Sequence, residues 1–206
     1  DLIVVGEWMS PKFLENRNGK FHDISASILP ENLNGLWQKV LPFDVDNDGD
    51  KDYLLGNWGL NSKLKASTEY PLLMYYKDFD SNGLTETLLA SEKNGDYYFL
   101  YGMDELSAQL SQMIRKRFST YREFAGKKVD EIFTPEELAG AEKLMVHSLA
   151  SGYLENNNGK FTFRQFDYSL QTAPIRAMLN YDFNKDGREE VLLGGNYFGV
   201  TPYHGK

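Results

Sequence analysis

The chain has 206 residues, enough for one large domain or two small ones, and 13 Phe with 13 Tyr give it material for a core. Its formal net charge is −8 and no basic stripe runs through it, which argues against a nucleic-acid partner. It has no cysteine, so neither a disulfide nor a thiolate metal site is available, and no run approaches the roughly 18 apolar residues of a membrane span.

The first predicted element is a strand, Leu2-Ile3-Val4-Val5, preceded by Asp1 and closed by Gly6. Leu14-Glu15-Asn16-Arg17-Asn18-Gly19-Lys20-Phe21 follows as a hairpin, because Asn-Gly between strand-like runs supplies the two positive φ angles of a type I′ turn. Val40-Leu41-Pro42-Phe43 reads as a strand that enters an acidic loop, Asp44 to Asp52, and leaves it as Tyr53-Leu54-Leu55-Gly56. The same order recurs at Leu72-Leu73-Met74-Tyr75-Tyr76, the loop from Asp78 to Glu86, and Thr87-Leu88-Leu89. From Met103 to about Glu142 the pattern changes. Leu106, Leu110, Met113, Ile114 and Phe118 keep helical spacing, and Thr134-Pro135-Glu136-Glu137 opens a helix as a capping box with Pro at its first position. The hairpin then returns as Leu154-Glu155-Asn156-Asn157-Asn158-Gly159-Lys160-Phe161, and a third loop, Asp182 to Glu190, feeds Val191-Leu192-Leu193-Gly194.

The three loops share one spacing, with oxygen-bearing side chains at positions 1, 3, 5 and 9 and Gly at position 6. A hard cation such as Ca²⁺ takes about six to eight oxygens at roughly 2.3–2.6 Å, and alternate positions of a tight loop converge on one point. The carbonyl of position 7 is the natural backbone ligand. The candidate ligands are therefore Asp44, Asp46, Asp48, Asp50 and Asp52; Asp78, Asp80, Asn82, Leu84 and Glu86; and Asp182, Asn184, Asp186, Arg188 and Glu190, for up to three Ca²⁺ ions. An EF-hand would place a bidentate Glu at position 12 between helices. Here that position is Leu55, Leu89 or Leu193 inside a strand-like run, so the EF-hand reading fails. Asp, Asn and Gly also favour plain turns. One such loop is open to that explanation, and three with one oxygen pattern favour the metal. Asn82 and Asn184 stand where the first loop has Asp46 or Asp48, which predicts weaker binding there.

Each hairpin is followed by a loop and its strand, and internal repetition of this length marks a propeller or solenoid. The position-9 residues Asp1, Asp52, Glu86 and Glu190 are 51, 34 and 104 residues apart. Removing about 40 inserted residues from the last gap leaves about 60, a reasonable blade. The expected division is 1–102 as repeats with two calcium loops, 103–142 as a helical insertion, and 143–206 as a repeat with the third loop. The insertion's apolar stripe is expected to pack onto the repeats, with partner binding as the rival reading. Asp1 reads as position 9 of a fourth loop, and the expectation is a cut through a longer parent protein. About three blades cannot close a ring, so self-association through open sheet edges, or an edge covered by the insertion, is expected.

The loop Asp44-Val-Asp46-Asn-Asp48-Gly49-Asp50-Lys-Asp52, followed by Tyr53-Leu54-Leu55-Gly56, resembles the FG-GAP or VCBS-type repeat of integrin α-subunit β-propellers. The two Leu-Glu-Asn hairpins are similar to those of large secreted bacterial proteins that often carry an ASPIC/UnbV domain. So is the insertion, with Asp104-Glu105-Leu106, Arg117-Phe118 and Asp130-Glu131-Ile132-Phe133. The likeness spans nearly the whole chain and departs at Asn82, Asn184 and the Glu at position 9 of two loops. It implies a mainly β fold: a partial β-propeller of about three blades of antiparallel strands with a mainly helical insertion, exported to the outside or surface of a bacterial cell. In such blades the cation loops stiffen the scaffold and lie away from the ligand face.

The functional expectation is a calcium-stabilised extracellular module, not an enzyme, that binds a protein or glycan partner. The alternative is a catalytic or non-catalytic part of a larger carbohydrate-active or hydrolytic surface enzyme. His22, His147 and His204 lack sequence-local partners, and no G-x-S-x-G, H-E-x-x-H or glycine-rich phosphate loop is present. Trp8, Trp37, Trp58, Tyr197 and Phe198 form a candidate sugar-stacking platform, or equally blade core.

Overall fold

The computed structural model describes residues 1–196, except for the side chains of Ser111 and Gln112. Tyr197, Phe198 and His204 lie outside the described residues. The chain divides into two compact units, Asp1–Leu64 together with the chain from Val146 on, and Lys65–Met145. The described residues are mainly β, in several antiparallel sheets of which none closes on itself. Among them no helix is long and apolar enough to cross a membrane.

The first unit begins with β1 (Leu2–Val4), β2 (Glu7–Met9), β3 (Lys12–Arg17), β4 (Lys20–Asp23) and a single helical turn, α1 (Ser25–Ile28). It continues with β5 (Gly35–Leu36), β6 (Lys39–Phe43) and β7 (Asp52–Gly56). The second unit holds β8 (Leu72–Lys77), β9 (Glu86–Lys93) and β10 (Asp96–Phe99), five short helices α2 (Met103–Gln109), α3 (Ser111–Arg117), α4 (Tyr121–Phe124), α5 (Val129–Ile132) and α6 (Pro135–Leu138), and then all of β11 (Glu142–Val146) but its last residue. The chain returns to the first unit with β12 (Gly152–Asn157), β13 (Lys160–Gln165), β14 (Ala177–Tyr181) and β15 (Glu190–Gly194).

Three sheets dominate the first unit. Sheet A is β1-β3-β4, sheet B is β13-β12-β7-β6 and sheet C is β14-β15. Sheet B is a meander whose second and third strands, β7 and β12, are separated in sequence by the whole second unit. Both predicted hairpins form. Asn18-Gly19 and Asn158-Gly159 hold φ of 54° and 84° and of 55° and 81°, and the side chains of Asn16 and Asn156 accept from the glycine N–H at 2.8 Å. Successive side chains of a strand point to opposite faces. Tyr53 and Leu55, with Leu154, therefore meet Ile3 and Phe13 of sheet A, while Leu54, with Leu41, Phe43 and Tyr153, meets Met178, Val191 and Leu193 of sheet C. Covering on both faces explains why Tyr53-Leu54-Leu55 is apolar throughout rather than alternating. Gly56 closes the strand because the backbone of sheet C's leading segment passes there; a Cβ would lie 2.2 Å from the Ile175 oxygen.

A buried polar hub ties the loops to these sheets. Asn57 is fully buried; its Oδ1 accepts from Leu36 and Trp58 N–H at 3.1 and 2.8 Å, and its Nδ2 donates to the Ser148 and Ala150 carbonyls at 2.9 and 3.2 Å. Ser151 Oγ accepts from Asn57 N–H at 2.9 Å, and Gln171 Oε1 accepts from Ser151 N–H at 2.9 Å. Each of these hub atoms thereby keeps a partner in place of water.

In the second unit the sheet order is β10-β9-β8-β11. A third Asn-Gly turn, Asn94-Gly95 with φ of 57° and 87°, joins β9 to β10. The predicted helical stripe is present but broken: Leu110, at φ −125° and ψ 52°, ends α2 and begins α3. The capping box holds, with Glu137 N–H donating to Thr134 Oγ1 at 3.3 Å and Thr134 N–H to Glu137 Oε2 at 2.8 Å. Leu106, Leu110 and Ile114 are fully buried and share one core with Leu73, Leu88, Ala90 and Phe99 of the strands. The helices thus form one compact unit, Lys65–Met145, with β8–β10 and the second acidic loop. The stripe is consumed inside its own unit, which removes the ground for reading it as a partner-binding face.

Candidate metal centres

All three acidic loops connect two paired strands: β6 to β7, β8 to β9 and β14 to β15. They adopt one backbone. Position 4 has a left-handed φ in each (Asn47 63°, Ser81 59°, Lys185 65°), and so does the glycine at position 6 (Gly49 93°, Gly83 86°, Gly187 88°). They also share one hydrogen-bond scheme. The N–H of the position-6 glycine donates to the position-1 carboxylate, at 3.1 Å for Gly49 to Asp44 and 2.9 Å for Gly83 to Asp78 and Gly187 to Asp182. The position-7 N–H donates to the side chain of position 5, at 2.9 Å for Asp50 to Asp48, 2.7 Å for Leu84 to Asn82 and 2.9 Å for Arg188 to Asp186. The position-9 carboxylate accepts from the N–H of position 2, at 2.8 Å for Val45 to Asp52, 2.9 Å for Phe79 to Glu86 and 2.8 Å for Phe183 to Glu190.

This scheme gathers carboxylates. Asp44, Asp46 and Asp48, then Asp78, Asp80 and Glu86, then Asp182, Asp186 and Glu190, each bring one oxygen within 4.8 Å of the others. The longer Glu side chain matters at position 9. Glu86 and Glu190 bond the backbone through one oxygen and still reach their clusters, whereas Asp52 stays outside its own. Both oxygens of Asp52, which is buried, accept backbone N–H groups, from Val45 at 2.8 Å and from Asn156 of the neighbouring strand at 2.8 Å. Asp1 makes the same bond to Asn16 at 2.8 Å, with Leu2 opposite Leu14 as Tyr53 is opposite Leu154. Asp1 thus occupies in sheet A the place of Asp52 in sheet B. The backbone lock by the position-9 carboxylate is a role that ligand spacing alone did not reveal.

Three carboxylate oxygens in the first two loops, Asp44 Oδ1, Asp50 Oδ1 and Asp80 Oδ1, are buried and have no hydrogen-bond partner among the described residues. A buried acceptor without a donor is costly, and a cation satisfies several at once. Desolvation inside the loop raises the Asp46 and Asp50 carboxyls above their ordinary value, and repulsion from Asp48 and Asp52 adds to both. The first two loops fit a hard cation: oxygen donors and clustered negative charge. The third loop differs. Asn184 turns its amide nitrogen, not its oxygen, to the cluster, donating to Asp186 Oδ2 at 3.1 Å and Glu190 Oε1 at 2.9 Å, while its Oδ1 accepts from Asp186 N–H at 2.8 Å. An amide there donates into the cluster and offsets part of the repulsion among its carboxylates.

The other candidates are scattered. Trp37 is 2% exposed and its Nε1–H donates to the Leu33 carbonyl at 3.0 Å, so it belongs to the core and offers no face to a sugar. Trp8 and Trp58 are half-buried. His22 is exposed, and half-buried His147 has its basicity lowered by burial. No family model matches the chain, and no curated protein or solved structure is significantly similar to it.

Proposed function

We propose that the chain is a calcium-stabilised module of an exported, propeller-type repeat protein that binds a protein or glycan partner and catalyses no reaction of its own. The observation that carries this reading is the common geometry of the three loops, which gather carboxylates within 4.8 Å while three buried oxygens lack donors. Asp44, Asp46, Asp48 and Asp50 in the first loop, and Asp78, Asp80 and Glu86 in the second, are the residues that would hold Ca²⁺. The ion supplies charge neutralisation and fixes loop shape. Support for the propeller comes from sheet B, a four-stranded meander covered by a further sheet on each face, as blades are in such folds.

A cation that binds only the folded form stabilises it by mass action, by about 1.4 kcal/mol at roughly ten times its dissociation constant. The test is thermal unfolding with millimolar CaCl₂, with MgCl₂ and with chelator, alongside calorimetric titration of Ca²⁺. A higher Tm in CaCl₂ than in MgCl₂ or chelator is expected, because Mg²⁺ demands a tighter octahedral shell. Equal Tm in all three, with no heat of binding, overturns the calcium reading.

A further inference from the structure

The first unit repeats one interface and leaves both of its halves exposed. Strand registers align the sheets residue by residue: Leu41 opposite Leu54 in sheet B matches Leu179 opposite Leu192 in sheet C, and Tyr53 opposite Leu154 matches Leu2 opposite Leu14 in sheet A. Sheet B has a forward face, Leu41, Phe43, Val45 and Leu54, which is covered by sheet C. Its rear face, Tyr53, Leu55, Leu154 and Phe161, is covered by sheet A. The forward face of sheet C is Leu179, Tyr181, Phe183 and Leu192, and these are 54, 58, 50 and 58% exposed. The rear face of sheet A is Leu2, Val4, Leu14 and Phe21, of which Leu2, Val4 and Phe21 are 46, 37 and 55% exposed. Exposed apolar side chains gathered on one face of a sheet are the kind of surface that binds a partner.

We infer that these two faces bind each other between copies of the chain, the forward face of one molecule seating on the rear face of the next. The ground is continuity: forward on rear already joins A to B and B to C with equivalent residues. Within the described first unit the two faces cannot meet, because they lie on opposite sides of a stack of three sheets spaced by about 10 Å each. The contact is heterologous, so it propagates into chains or closes into a ring according to its rotation. It does not depend on bound cation.

The test is sedimentation velocity over a range of concentration, with circular dichroism to confirm folding. For the unmodified chain the mass should rise with concentration beyond that of a dimer. A forward-blocked variant, Leu179→Asp with Leu192→Asp, and a rear-blocked variant, Leu2→Asp with Phe21→Asp, should each be monomeric alone. Mixed one to one they should form a species that stops at two copies, since each retains one good face. A monomer at every concentration, or loss of association in only one of the two variants, overturns the inference. Because the chain has no cysteine, Leu192→Cys and Phe21→Cys provide a second readout that leaves the faces apolar. Mixing them under oxidation should give mainly the mixed disulfide dimer, and a statistical mixture or none overturns the inference.

Discussion

The two units build the same strand–loop–strand element and cover it differently. In the first unit Leu54 and Leu41 pack against another sheet, while in the second the equivalent Leu88 and Tyr75 pack against helices. The side chain at loop position 2 follows suit, with Val45 facing sheet C and Phe79 facing Phe133 at 5.2 Å. Yet the loops keep the same left-handed positions and the same hydrogen bonds. The difference teaches that loop shape is set locally, by its own Asp, Gly and position-9 carboxylate, whereas the covering layer is interchangeable provided it is apolar.

The sharpest way to break this comparison is at its apolar centres. Leu54→Ala and Leu88→Ala, at 4% and 0% exposure, should each lower unfolding stability by about 2–5 kcal/mol in urea titration. Hydrogen exchange should rise chiefly within the unit that carries the substitution. Equal loss of protection in both units would mean that they unfold as one body. Next in size are the loop glycines. A Cβ on Gly49 or Gly83 meets no atom within 4 Å, so Gly49→Ala and Gly83→Ala should cost only the left-handed backbone, about 1–2 kcal/mol, and equally in the two units. Clearly unequal costs would show that the covering layer does shape the loop.

Asn184→Asp tests the odd loop. It removes two amide donations and adds a carboxylate beside Asp186 and Glu190, so Tm should fall in chelator and the gain on adding CaCl₂ should widen. An unchanged gain would mean that the third loop takes no cation in either form. The smallest effect is a pH dependence away from the loops. Hydrogen bonds from Ser25, with Lys12 adding to them, hold the Asp23 carboxyl at about 2, below its usual 3.8. A depressed folded-state value stabilises the protein above the unfolded value and loses that contribution as pH falls through the folded one. Asp23→Asn should therefore flatten the stability profile slightly between about pH 4 and 2 and leave its slope near neutrality unchanged.

What could be read from the sequence was whatever is encoded over a dozen residues. The strands around Asp44–Asp52, the Asn-Gly hairpins and the capped helix at Thr134 all carry their signals within a turn or two of themselves. Three things were not so encoded. The pairing of Tyr53 with Leu154 spans the whole second unit, and no periodicity announces a partner that distant. Spacing marked Asp52 as a ligand, but its second oxygen is claimed by Asn156, a residue of another hairpin. Trp37 is as compatible with a sugar platform as with a core until the segments around it are placed.

The long excursion between β7 and β12 has a consequence in time. Translation runs at about 5–20 residues per second, so β7 leaves the ribosome on the order of 5–20 s before the strand that completes its ladder. During that interval one side of β7, with its run of Tyr53-Leu54-Leu55, presents unpaired N–H and carbonyl groups beside apolar side chains, a template for mispairing with a neighbouring nascent chain. A second unit that condenses early shortens the loop to be closed and eases the entropy of joining β7 to β12. On that view the helices and strands of 65–145 act first as a timer and a spacer, and slow or faulty folding there would surface as aggregation seeded at β7.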